Sequence, residues 1–185
     1  MEEKEAKPSR FSRIVITELM IPSYANFGGK IHGGILLSLM DKVAYATASK
    51  HSGAYCVTVS VDTVDFLQPV EVGELVSLMG SINYVGNSSM VIGIKVISEN
   101  VKTGNVKHTN TCYFTMVAKD DSDKPTLVPK LILEDKTDVR RFVEAIYRRQ
   151  FKKEYEENLN KIKENWDKQE IETLLSTHRC INHSH

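Results

Sequence analysis

Cysteine is scarce in this chain: three residues in 185, at Cys56, Cys112 and Cys180, with no two at CxxC spacing. So sparse and odd a set excludes a disulfide framework and points to reduced thiols in a cytoplasmic protein. No apolar run approaches the roughly 18 residues of a spanning helix, so no membrane segment is expected. The opening MEEKEAKPSR carries charge where a secretory leader needs an apolar core. An excess of either charge is missing too, since 24 basic residues balance 24 acidic ones. No global field is there to draw in nucleic acid or an anionic membrane. The six histidines share no ligand spacing on one element, and His183 and His185 lie in a tail, so no metal is expected. P-loop, Rossmann glycine pattern and serine elbow are all absent. Residues 1–12 are too short for a helix-turn-helix.

What remains reads as one domain with an appendage. Residues 1–12 are polar and expected to be flexible. A β-branched stretch from Arg13 to Ile21 predicts a strand closed by Pro22, and Tyr24 to Lys30 a loop. Gly34 to Lys50 predicts a helix apolar nearly all round, hence buried. Four strands are expected next, at Tyr55–Leu67, Gly73–Val85, Ser89–Asn100 and Lys107–Ala118. In the third of these, Val91, Ile94, Val96 and Ile97 are core candidates. The layout is α+β, with one sheet wrapped around one helix over residues 13–133. Residues 134–185 form a charged helical extension, its charges balanced at 11 and 11. Val139, Phe142, Val143, Ile146 and Tyr147 make one helical stripe there, and Tyr155, Leu159, Ile162 and Trp166 repeat at four, three and four. Such a segment packs on the body or forms a short coiled-coil seam with another subunit. Its basic stretch from Arg140 to Lys153 is a solvated face or a nucleotide contact.

The chemistry concentrates at His32-Gly33-Gly34 and at Asp41 in the helix that follows. Glycines permit close approach to their backbone, and the first amides of a helix have no partner within it. Those amides suit a developing oxyanion. Asp41 stands among Leu36, Leu37, Leu39, Met40, Val43 and Ala44, where a carboxylate needs a task or a partner such as Ser38 or Tyr45. Seven residues of helix between Gly34 and Asp41 span about 10 Å. A base must come within roughly 3 Å of its target. The two therefore flank one carbonyl only if two antiparallel copies of the helix face each other. His32 reads as a loop histidine that orients backbone, and Asn26 as a turn or cap residue. Read without that task, Asp41 is a structural carboxylate and the glycine pair a tight turn.

Asn26, the loop to His32-Gly33-Gly34, the helix ILLSLMDKVAYATASKH and the strand VTVSVDTVDFLQPV together resemble the hotdog-fold acyl-CoA thioesterases, in the acyl-CoA hydrolase branch. The likeness spans roughly residues 13 to 130, and its most specific part is the HGG-x6-D spacing. It implies a long central helix wrapped by a curved antiparallel sheet, paired into homodimers that share a continuous sheet and assemble to tetramers or hexamers. It implies hydrolysis of acyl-CoA thioesters, with no cofactor because CoA is part of the substrate. By the resemblance Asp41 is base or nucleophile, Gly33 the oxyanion amide with Gly34 beside it, and Asn26 the residue positioning water. His32 and the turn Gly86, Asn87, Ser88 and Ser89 would contact substrate. Asn87 stands where many relatives carry arginine, and Lys30 where some carry asparagine or aspartate. A hydratase on the same fold would pair a histidine with an acid. A non-catalytic acyl-CoA-binding or sensing protein is the other alternative.

Overall fold

The computed structural model describes residues 5–164 and 168–183, with side-chain surroundings given through Glu164 and again from Ile171. Chain order is β1 (Lys7–Pro8), a 3-10 turn, β2 (Ile14–Leu19), a second 3-10 turn, α1 (Gly33–Ser52) and β3 (Tyr55–Val61). Then come β4 (Leu75–Val85), β5 (Ser89–Asn100), β6 (Asn105–Lys119), β7 (Leu131–Ile132), α2 (Lys136–Glu164) and α3 (Lys168–Ser176). Five strands form one antiparallel sheet in the order β2-β4-β5-β6-β3, and α1 contacts all five. Among the described residues no helix is long and apolar enough to cross a membrane.

Alternation along the long central strands builds the core. Val76, Leu78 and Ile82 of β4, Met90, Ile92, Ile94 and Val96 of β5, and Cys112, Phe114 and Met116 of β6 are buried with Met40, Val43, Ala44 and Ala48 of α1. The helix approaches β4 where Gly80 leaves room: a Cβ there would meet Thr47 Oγ1 and Val43 Cγ1, each at 2.6 Å.

Several expectations need correcting. The helix is not buried all round. Gly34, Leu37, Ser38, Asp41, Lys42 and Tyr45 recur at helical spacing and are exposed, because the sheet covers only one side of α1. The strand expected over residues 55–67 ends at Val61; beyond it Asp62 N–H donates to Tyr113 O and Leu67 N–H to Thr109 O. A bulge between Thr58 and Ser60 breaks the alternation, leaving Val59 60% and Val61 43% exposed on an edge strand. Another bulge after Val96 leaves Ile97 only half-buried. The segment before residue 13 is not loose from Lys7 onward: Lys7–Pro8 pairs in parallel with Leu131–Ile132, and Ser9 and Ser12 are buried. Residues 1–4 lie outside the described residues.

The chain forms two compact units, residues 1–145 and 146–185, that divide within α2. The expected extension from residue 134 thus begins inside the first unit. There Asp138 is buried, accepting from Ser9 Oγ (2.8 Å) and Arg13 (3.1 Å), and Phe142 packs on Tyr84 with ring centroids 5.1 Å apart. In the second unit Ile146, Tyr147, Tyr155, Leu159 and Ile162 are exposed. Trp166 and His185 lie outside the described residues.

Candidate active site

The segment from Asn26 to Gly34 is a self-supporting loop. Asn26 Oδ1 accepts from the amides of Gly28 (2.9 Å) and Lys30 (3.2 Å), and Asn26 N–H donates to Lys30 O. Both bonds at Oδ1 come from N–H donors, which fixes the side-chain orientation and leaves its NH₂ a donor with no partner among the described residues. Ile31 N–H donates to Val70 O, and Lys30 pairs with Glu71 at 2.5 Å. Lys30 is thus an anchor of the loop.

Glu74 holds the strand-side partner of that loop. Its buried carboxylate accepts from Glu71 N–H, Ser98 Oγ and Lys107 Nζ. Burial alone would raise its pKa, but these donors win and the net direction is down.

His32 is the N-cap of α1. Its Nδ1 accepts from Gly34 N–H at 2.9 Å, so in this state Nδ1 carries no proton. The cap claims one glycine amide and frees the other. Gly34 N–H is engaged, whereas Gly33 N–H has no hydrogen-bond partner among the described residues. Of the two amides expected at an oxyanion site, Gly33's is therefore the open one. The Phe66 ring lies beside it, 3.4 Å from where a Gly33 Cβ would sit.

Asp41 lies on the exposed face of α1. Thr58 Oγ1 donates to its Oδ1 at 2.6 Å, so its partner is neither Ser38 nor Tyr45. Thr58 was missed in the sequence. It reads there as one polar position in an alternating strand, and only the approach of β3 to α1 reveals its contact. Asp41 opens into a cleft of about 360 Å³ lined by Lys42, Tyr45, Tyr55, Cys56, Val57 and Thr58. A larger cavity, about 540 Å³, lies between the sheet's outer face and the first turns of α2; Arg140 and Arg141 of the basic stretch line it, but Asn26, His32, Gly33, Gly34, Asp41 and the Gly86–Ser89 turn do not.

One protomer brings these groups only partly together. Eight residues of helix separate Gly33 from Asp41, about 12 Å of rise. The turn Gly86-Asn87-Ser88-Ser89 is closed by Gly86 N–H donating to Ser89 O. It lies level with Thr58 on the sheet, since Thr58, Met116, Met90 and Val85 are successive partners across β3, β6, β5 and β4. Two to three strand spacings place it about 10–14 Å away. Asn87 and Ser88 instead accept backbone bonds from Val128 and Ala118.

Residues 28–105 match the model of the thioesterase superfamily. The chain is 44% identical over 141 residues to protein VdlD of Helicobacter pylori, covering 76% of this chain and 80% of that one. It is 34% identical over 148 residues to the uncharacterized acyl-CoA thioester hydrolase YkhA of Bacillus subtilis, covering 80% and 86%. A hexameric acyl-CoA thioesterase solved without ligand superposes with a TM-score of 0.80 at 34% identity, covering 82% of this chain and 97% of the other. The acyl-CoA hydrolase of Staphylococcus aureus, solved with butyryl-CoA, CoA and CoA disulfide, gives 0.77 at 30%, covering 86% and 97%. Three further structures of that enzyme are alanine variants at an asparagine, an aspartate fifteen residues on and a threonine seventeen beyond it. Asn26, Asp41 and Thr58 stand at the same intervals. By sequence and by fold, the chain belongs to the hotdog-fold acyl-CoA thioesterases of the thioesterase superfamily.

Proposed function

We propose that the protein hydrolyses acyl-CoA thioesters at sites shared between two copies of the chain. One observation carries the reading. Asp41 and the unclaimed Gly33 amide lie about 12 Å apart along α1, too far to act on one carbonyl within a protomer. An antiparallel second copy would set Asp41 of one chain opposite Gly33 of the other. The exposed face of α1 and the apolar edge of β3 (Val59, Val61) supply surface for that pairing. Assembly beyond the dimer, to a tetramer or hexamer, is part of the proposal, as related thioesterases are hexameric.

In this reading the Gly33 amide polarises the thioester carbonyl at the positive end of α1. Thr58 holds one carboxylate oxygen of Asp41, leaving the other free to take a proton from water. The water oxygen bonds to the thioester carbon and the C–S bond breaks. The CoA thiolate leaves and takes up the proton, giving free CoA and a carboxylic acid. Asn26, whose oxygen is committed to its own loop, acts through its NH₂ and holds the water by its oxygen. His32 keeps Gly34 occupied so that Gly33 alone faces the substrate. Gly86 to Ser89 would touch the CoA arm of a neighbouring site. CoA is substrate, so the reaction needs no separate cofactor. Free cysteines at 56, 112 and 180 fit a cytoplasmic setting.

A hydrolysis assay across acyl-CoAs tests this. Wild type should release thiol. Asp41→Asn should lose roughly 10²–10⁴ in kcat while staying folded and assembled. Activity within about threefold of wild type would refute Asp41 as the base.

A further inference from the structure

We propose that the cleft beside Asp41 is the acyl-chain subsite, and that Tyr45 and Tyr55 close its far end, making the enzyme selective for short and medium chains. This rests on the hydrolase reading above. The cleft has two walls that start at the reacting end and both finish in a tyrosine. On α1, Tyr45 follows Asp41 by four residues, one turn further on the same exposed face and about 6 Å along the axis. On β3, Val57, Cys56 and Tyr55 lead away from Thr58 over about 10 Å. The Tyr45 and Tyr55 rings stand 6.2 Å apart with planes inclined at 59°, so the walls converge there.

Between the two ends the lining suits hydrocarbon. Cys56 is 2% exposed and Val57 half-buried, and apart from Asp41 the only charged lining group is Lys42. In a single protomer both tyrosines are about half exposed, on the side of α1 and β3 where the proposed pairing would enclose a substrate between the two copies. The acyl chain of a substrate whose carbonyl sits at Asp41 would lie along this lining. Each methylene it buries should raise kcat/KM about fourfold. The gain stops where the chain meets the tyrosine rings.

The test is a series of straight-chain acyl-CoAs, from acetyl to palmitoyl, run on wild type, Tyr45→Ala, Tyr55→Ala and Tyr45→Phe. Wild-type kcat/KM should climb with chain length and then break. Each alanine variant should move the break to longer chains and raise the ratio of long- to short-chain kcat/KM at least tenfold. Tyr45→Phe, which keeps the ring, should retain the wild-type break. Circular dichroism and size exclusion establish that each variant is folded and assembled, and two alanine positions on different elements keep the test open if one fails to fold. An unmoved break in both overturns the proposal. An equal rise in KM for every chain, with weaker product inhibition by CoA, would place the CoA arm in the cleft and overturn it. Loss of assembly with an unchanged profile would make the cleft the seat of a second copy, also overturning it. If wild type hydrolysed none of the series, the hydrolase reading itself would fall.

Discussion

The two faces of α1 obey different rules. One presents Met40, Val43, Ala44 and Ala48 to the sheet, each completely buried. The other presents Gly34, Leu37, Ser38, Asp41, Lys42 and Tyr45, all exposed. The covered face follows packing: Gly80 of β4 lacks a Cβ so that Val43 and Thr47 can close on the strand. The open face mixes a glycine, a carboxylate, a lysine and a tyrosine, which no core would select. A single helix thus carries the fold on one side and, in the proposed reading, the chemistry on the other. Substitutions on the two sides should therefore damage different things.

The largest effect belongs to the open face. Asp41→Asn should cost roughly 10²–10⁴ in kcat with little change in melting temperature. Activity and melting temperature falling together would erase the distinction. The covered face should behave oppositely. Gly80→Ala places a methyl 2.6 Å from Thr47 Oγ1 and Val43 Cγ1, so those side chains or the helix that carries them must shift. It should destabilise by about 1–3 kcal/mol, lowering the melting temperature by several degrees. Turnover per folded molecule should stay close to wild type.

The smallest effect sits at the end of the covered face. His51 is fully buried, with its ring between Ser12 Oγ at Nδ1 and Pro129 O at Nε2. Burial lowers its pKa, and the nearby Lys7 adds to this against the bond to Pro129 O. The unfolded chain then binds a proton more readily than the folded one. Stability from this group is complete above the ordinary histidine value near 6.5 and is lost as pH falls from there toward the lower folded value. Thermal melts between pH 5 and 7.5 should show this slope in wild type and less of it in His51→Gln. Equal slopes would remove His51 from the account.

Much of this was legible in the sequence, for identifiable reasons. The helix expected at residues 34–50 spans Gly33–Ser52, because apolar spacing between the glycine pair and Gly53 is a local signal; that His32 caps it was not legible. The hairpins from Gly73 to Ala118 were legible from alternation and from turns at Gly86 and Gly104. The open side of α1 was not: Leu37 and Ala44 are both apolar, and only the position of the sheet decides which is covered. Thr58 was hidden because it reads as one polar position among several in an alternating strand, and its contact with Asp41 depends on how β3 lies against α1. The division of labour between the two glycines depends on the orientation of one imidazole ring, which spacing does not encode. The folding of Lys7 to Ser12 rests on partners more than 120 residues away, Leu131 and Asp138.

The central claim is that each site draws Gly33 from one chain and Asp41 from another, and mixing two dead variants tests it most directly. Asp41→Ala removes the carboxylate. Gly33→Pro removes the amide at the first position of α1, where proline is tolerated, and His32 already has the extended backbone (φ −65°, ψ 128°) that a following proline requires. Each variant alone should be inactive. After subunit exchange, verified by mass difference, a mixed dimer holds one site with both groups intact, so activity should return to about a quarter of wild type at equal mixing. Verified exchange with no recovered activity would contradict the shared site.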